Sequence, residues 1–226
     1  MTRINYNEES IEERARVEAV GCYSGGVDST VLAFLMLKTL DPADIRIVLA
    51  SSFLMGTEEL RSARDQAEEL GFPLVEIEHP GVSCPEVLKN HPSRCYVCKK
   101  ALFARIKELY PHALIYCGEN ADDRAENRPG TRAIAELNVQ IPLAEAGLTK
   151  NDIRAYATQA NLPAALRPSN SCLATRFAEG TEITPRLARC ADLLETAERV
   201  THPDAKKVRV RCQSLDPLTF DIQVKK

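Results

Sequence analysis

No run in this chain is long and apolar enough to cross a membrane, and the N-terminal residues form no apolar signal segment. A cytoplasmic protein with no membrane partner is expected. An excess of one charge is also missing: 29 basic against 32 acidic residues leave a net charge of −3. Without an overall basic field, nucleic acid is not the expected partner. No internal repeat and no low-complexity tract is visible. The eight cysteines do not suggest a disulfide framework in a cytoplasmic chain of 226 residues. Those that cluster point instead to metal, cluster or redox chemistry.

With 44% hydrophobic content, the chain can bury a substantial core, enough for one large domain or one domain with a small appendage. Apolar, β-rich runs at 18–23, 45–50, 73–77, 113–117 and 139–143 read as strands. Helical spacing separates them, most clearly at 57–70 and 101–109, with a further surface helix at 8–17. That alternation predicts an α/β fold with a doubly wound parallel sheet. Thr149 with Asp152 three residues on reads as a helix cap, opening a helix to about 160. Thr184-Pro185 opens another helical stretch, and 208–211 and 218–224 alternate as strands do. A boundary is placed near Gly180, giving a domain over 1–180 and a small C-terminal α+β region over 181–226.

Between the first strand and its helix lies Ser24-Gly25-Gly26-Val27-Asp28-Ser29-Thr30. Adjacent glycines let the backbone approach an anion, and the first N–H groups of the helix have no partner within it. The helix dipole adds to this phosphate cradle, and Ser24, Ser29 and Thr30 add hydroxyl donors. No lysine follows the glycines, so the loop is not of the Walker type. The string resembles the fingerprint of the PP-loop ATP pyrophosphatases. That resemblance implies cleavage of ATP between its α and β phosphates and adenylylation of a substrate.

Cys95-Tyr96-Val97-Cys98 is preceded by Arg94 and followed by Lys99-Lys100. Cysteines three apart at a helix start share a face and can bind one metal or cluster, while core packing and thiol exchange are the alternatives. Basic neighbours and the helix N-terminus favour the thiolate. Cys172 lies in a polar loop, with Arg176 four residues on as a candidate to hold a phosphate or carboxylate while a thiolate attacks. Cys22, Cys84, Cys117, Cys190 and Cys212 lack metal-ligand spacing.

Five blocks sharpen the family: Arg94-Cys95-Tyr96-Val97-Cys98-Lys99, Gly118-Glu119-Asn120-Ala121-Asp122-Asp123, Arg128-Pro129-Gly130, Pro142 to Lys150, and Ser171-Cys172-Leu173-Ala174-Thr175-Arg176. Colinear over 20–184, they make the chain similar to the LarE-type ATP-dependent sulfur transferases of nickel-pincer cofactor biosynthesis. The resemblance implies that ATP with Mg²⁺ adenylylates a carboxylate of pyridinium-3,5-biscarboxylate mononucleotide, after which sulfur replaces AMP. It implies that Cys172 either surrenders its own sulfur or joins Cys95 and Cys98 in holding a [4Fe-4S] cluster that carries sulfide. The cluster version is the one expected.

Asp28 is a candidate Mg²⁺ ligand. Asn120 and Asp123 follow a strand end, where open α/β sheets place ligands, although a solvated turn is the alternative. Arg128 and Arg132 are candidates for the substrate's phosphate, and Arg209 and Arg211 match anion-binding positions of the family. By residue type alone, those last two read as a solvated strand edge. The family's tail continues past position 226 with acidic residues proposed to hold a metal, of which Glu198 matches one. The aromatic residue often found before the family's cysteine is missing from 164–167. A homo-oligomer is expected, and the sulfide donor is not specified. Two rivals are a tRNA thiolase, kept alive by C-terminal lysines and arginines, and a non-catalytic iron–sulfur or zinc carrier, which leaves the glycine loop unexplained.

Overall fold

Residues 9–126 and 129–225 are described by a computed structural model. The chain runs α1 (Ile11–Arg16), β1 (Ala19–Tyr23), α2 (Val27–Thr39), β2 (Ile45–Ser51), α3 (Thr57–Glu69) and β3 (Leu74–Glu78). It continues through α4 (Pro85–Leu88), α5 (Arg94–Leu109), β4 (Leu114–Tyr116), α6 (Ala121–Ala125), α7 (Thr131–Glu136), α8 (Pro142–Glu145) and α9 (Lys150–Gln159). Helix α10 (Pro185–Thr201) and strands β5 (Lys207–Leu215) and β6 (Leu218–Lys225) follow.

Strands β1 to β4 form a parallel sheet in the order β3-β2-β1-β4, the α/β architecture read from the sequence. Helices cover both faces, so strand side chains are buried on either side. Ile45, Ile47 and Leu49 of β2 pack with α2, α3 and α9, whereas Val48 faces the layer of α5 and α7. Arg46 interrupts this apolar pattern and is neutralised by Glu9 at 2.7 Å, whose other oxygen accepts the Tyr110 hydroxyl at 2.6 Å.

The strand expected at 139–143 is reduced to one parallel bridge between Tyr116 and Gln140. Pro142 has no N–H for a ladder and instead starts α8. Helix α5 opens at Arg94, so Cys95 and Cys98 lie at a helix start as expected, in one helix with the stretch read at 101–109. Beyond the sheet, β5 and β6 pair as an antiparallel hairpin. Val210 of β5 packs into a third apolar cluster with Leu54, Val87, Leu173 and Ala188, which draws on both sides of position 180.

Candidate active site

The glycine loop joins β1 to α2 and takes its shape from contacts that exclude side chains. Gly25 has φ +74°, and a Cβ there would stand 2.7 Å from the Cβ of Ala63 on α3. Gly118 presses on the loop from the other side, where a Cβ would lie 2.9 Å from the Ser29 nitrogen. Ser29 and Thr30 both donate to the Gly26 carbonyl at 3.0 Å, and the Ser24 N–H donates to Ser29 Oγ at 3.2 Å. These hydroxyls brace the loop. Thr30 is fully buried and lines neither neighbouring cavity.

Two cavities flank the loop at the carboxyl end of the sheet. The larger, about 370 Å³, is bounded by Ser24, Gly25, Gly26 and Asp28 on one side and by Cys98 and Cys172 on the other. The smaller, about 260 Å³, opens between β1 and β4, where the strand order reverses, and is lined by Asp28, Ser29, Lys99, Glu119 and Asp123. Asp28 therefore borders both. Its Oδ2 pairs with Lys150 at the start of α9, and its Oδ1 is buried with no hydrogen-bond partner among the described residues. A buried carboxylate oxygen left unsatisfied is costly, and Mg²⁺, a hard cation that prefers oxygen, fits it.

Two thiols stand at the opposite wall. Cys98 and Cys172 line the larger cavity, and exposed Cys95 is near enough to both for its charge to be felt. Burial pushes the Cys98 thiol up to about 12, reinforced by Cys172 and Cys95. For Cys98 the expected thiolate-favouring environment is overturned, because desolvation outweighs the Lys99 charge. The protein packed around the Cys172 thiol also raises its pKa, opposed by the Ala174 N–H and the Arg94 charge. His79 Nε2 lies 3.4 Å from Cys98 Sγ. Two thiols, those of Cys98 and Cys172, line this cavity, and Cys95 lies outside its lining. Among the described residues, no three His, Cys, Asp or Glu side chains are grouped to hold a metal ion.

The arginines expected to grip anions do other work. Arg176 is fully buried, with Nε 2.6 Å and Nη2 3.0 Å from the two Glu195 oxygens. Its Nη1 donates to Ser171 Oγ at 2.8 Å and Thr175 Oγ1 at 2.7 Å. Arg209 donates to Asn170 Oδ1 at 2.6 Å, and Arg211 donates to the Thr175 carbonyl. All three hold the Cys172 loop. Arg167 does line the cavity, half-buried, and makes no side-chain hydrogen bond or ion pair within the described residues.

No protein-family model matches the chain. A curated pyridinium-3,5-bisthiocarboxylic acid mononucleotide synthase of Lactiplantibacillus plantarum is 30% identical over 165 residues, 72% of this chain and 60% of that protein. Over the shared region, the chain is similar to this LarE-type synthase. Uncharacterised proteins of Synechocystis sp. and Methanocaldococcus jannaschii are each 33% identical, over 74% and 72% of this chain. The chain spans about three fifths of the length of these LarE-type and uncharacterised relatives.

Other expected residues separate into two groups. Asn120 caps α6, accepting from the Asp123 N–H at 3.0 Å, so its side chain is committed to the backbone, whereas Asp123 lines the smaller cavity. Arg132 pairs with Glu136 at 2.7 Å and stacks over Tyr96 on the surface. Arg128 lies outside the described residues. Sequence reasoning gave no site role to Lys150, His79 or Arg167. Lys150 closes one of the family-like blocks, which was a usable signal. His79 and Arg167 carried none, since only folding brings them to the cavity.

Proposed function

We propose that this chain is an ATP-dependent sulfur transferase of nickel-pincer cofactor biosynthesis, acting on pyridinium-3,5-biscarboxylate mononucleotide. The observation that carries this reading is one cavity bounded at one end by the glycine loop and at the other by Cys98 and Cys172. The name of the Lactiplantibacillus plantarum relative supports the product class. The loop N–H groups and the α2 N-terminus would hold the ATP phosphates, and Asp28 Oδ1 would hold Mg²⁺. A carboxylate oxygen of the substrate attacks the α-phosphorus, and pyrophosphate leaves with the bonding electrons. A sulfur nucleophile at the Cys172 end then adds to the acyl carbon, and AMP departs to leave a thiocarboxylate.

Arg167 is the guanidinium free to hold the substrate's anionic groups, in place of Arg176, Arg209 and Arg211. A [4Fe-4S] cluster held by Cys95, Cys98 and Cys172 would supply transferable sulfide.

Anaerobic protein given ATP, Mg²⁺, sulfide and the biscarboxylate mononucleotide is expected to form AMP, pyrophosphate and a thiocarboxylate detectable by mass. AMP without a sulfur-containing product would leave an adenylylating enzyme of another kind. No ATP turnover with this acid would remove the proposed activity and favour the carrier reading.

A further inference from the structure

We propose that Gln66 is a positioning residue for the glycine loop, its buried amide holding the Gly25 carbonyl so that the next N–H, that of Gly26, faces the cavities. The inference rests on reading that loop as the cradle for the ATP phosphates. On α3, the residues that are buried are Ala63, Gln66 and Ala67. The small alanines let the helix lie close to the loop, where a Cβ at Gly25 would stand 2.7 Å from that of Ala63. Between the alanines stands an amide, 3% exposed, on a face that an amphipathic helix ordinarily fills with apolar side chains.

The orientation of the amide follows from its neighbours. Gln66 Nε2 donates to the Ser62 carbonyl at 3.0 Å, to Ser62 Oγ at 3.2 Å and to the Gly25 carbonyl at 3.4 Å. Turned over, the amide would set its oxygen against two carbonyl oxygens, so its NH₂ group faces the loop. Its Oε1 is left buried with no hydrogen-bond partner among the described residues, a cost that an apolar residue would avoid. The Gly25–Gly26 peptide is trans, and across a trans peptide the C=O and the following N–H point in opposite directions. Gly25 is buried against α3. Gly26 is exposed and lines both cavities, and its N–H has no hydrogen-bond partner among the described residues. Anchoring the Gly25 carbonyl on α3 therefore sets the direction of that N–H. Without the anchor, a peptide between two glycines turns easily, because neither residue has a Cβ to resist.

The test compares wild type with Gln66→Met, which keeps the length of the side chain and removes the amide. Ser62→Ala, which removes one neighbouring acceptor and leaves the contact with Gly25, is the control. Calorimetry measures binding of ATP with Mg²⁺ and of inorganic pyrophosphate, a probe of the phosphate cradle without the nucleoside. Gln66→Met is expected to bind both about tenfold more weakly, the usual worth of a hydrogen bond to a charged group. Ser62→Ala should bind both as wild type does. The melting temperature of ligand-free Gln66→Met should stay close to that of wild type, since the unpaired Oε1 leaves with the amide. Wild-type affinity in folded Gln66→Met would overturn the inference, as would an equal loss in Ser62→Ala.

A second measurement needs no variant, and it decides the matter should Gln66→Met fail to fold. An anion bound by the Gly26 N–H polarises the Gly25–Gly26 peptide and strengthens its carbonyl as an acceptor. In proton–nitrogen correlation NMR, pyrophosphate is therefore expected to move the Gly26 amide proton and the Gln66 side-chain amide protons downfield together. Gln66 protons that stay in place while Gly26 shifts would refute the role of Gln66 and leave the cradle standing. Wild type that binds neither ATP nor pyrophosphate would remove the cradle and the role of Gln66 with it.

Discussion

Arg176 carries a full charge into the interior, and Glu195 meets it with both oxygens. A guanidinium so committed and fully buried is turned away from substrate, whereas Arg167 makes no side-chain hydrogen bond among the described residues. Arg167→Gln is therefore expected to lower kcat/KM for the acid by about 10- to 100-fold, the usual worth of hydrogen bonds to a charged group. Arg167→Lys should recover part of it, because a lysine keeps the charge but loses the planar fork. Steady-state kinetics with thermal melts as control checks this. Glu59 offers a pH test at the same scale. It lines the larger cavity, and burial raises its pKa above 4.5. The folded protein thus favours the protonated form. That contribution is fully present below 4.5 and is lost as pH rises through the raised value. Glu59→Gln should remove this slope, so its melting temperature should gain on wild type as pH increases across that window.

At the scale of elements, the strand–loop–helix unit of β1 and α2 was legible because its determinants are local. An apolar run, two glycines and a helix start lie within a dozen or so residues, and Gly25 holds its positive φ where the sequence pattern requires a glycine. Gly25→Ala is expected to cost about 1–3 kcal/mol through backbone strain, beside the clash with Ala63. Calorimetry should show ATP binding weakened by tenfold or more, while wild-type-like affinity would argue against the loop as the phosphate cradle. Helix α5 was legible from the spacing of Cys95 and Cys98 at its start and from the apolar spacing of its later part. The expected strand at 139–143 contains apolar residues at a strand's spacing. Its fate was decided by Pro142, which cannot donate to a ladder.

Across the whole molecule, Glu195 links the C-terminal part to the Cys172 loop. It binds Arg176, and its Oε1 accepts the Val210 N–H at 3.0 Å, so α10, β5 and the loop meet at one carboxylate. Glu195→Ala leaves Arg176 buried without its counter-ion, at a cost of about 3–5 kcal/mol. In a protein of this size that corresponds to a fall in Tm on the order of 10 °C. Turnover should drop more than ATP affinity, because the glycine loop lies elsewhere; an equal loss of both would mean that the damage is global. The sequence by itself determined the α/β class, the glycine loop and the identity of the thiols, since each is written in short-range pattern and residue chemistry. Only the tertiary structure decided which cations remain free. Arg176, Arg209 and Arg211 look like anion ligands until Glu195, Asn170 and the Thr175 carbonyl are brought to them from distant parts of the chain. His79 came to Cys98 in the same way, across 19 residues that carry no mark of the contact. A charged or polar side chain is defined by its partners, and partners distant in sequence are chosen by packing.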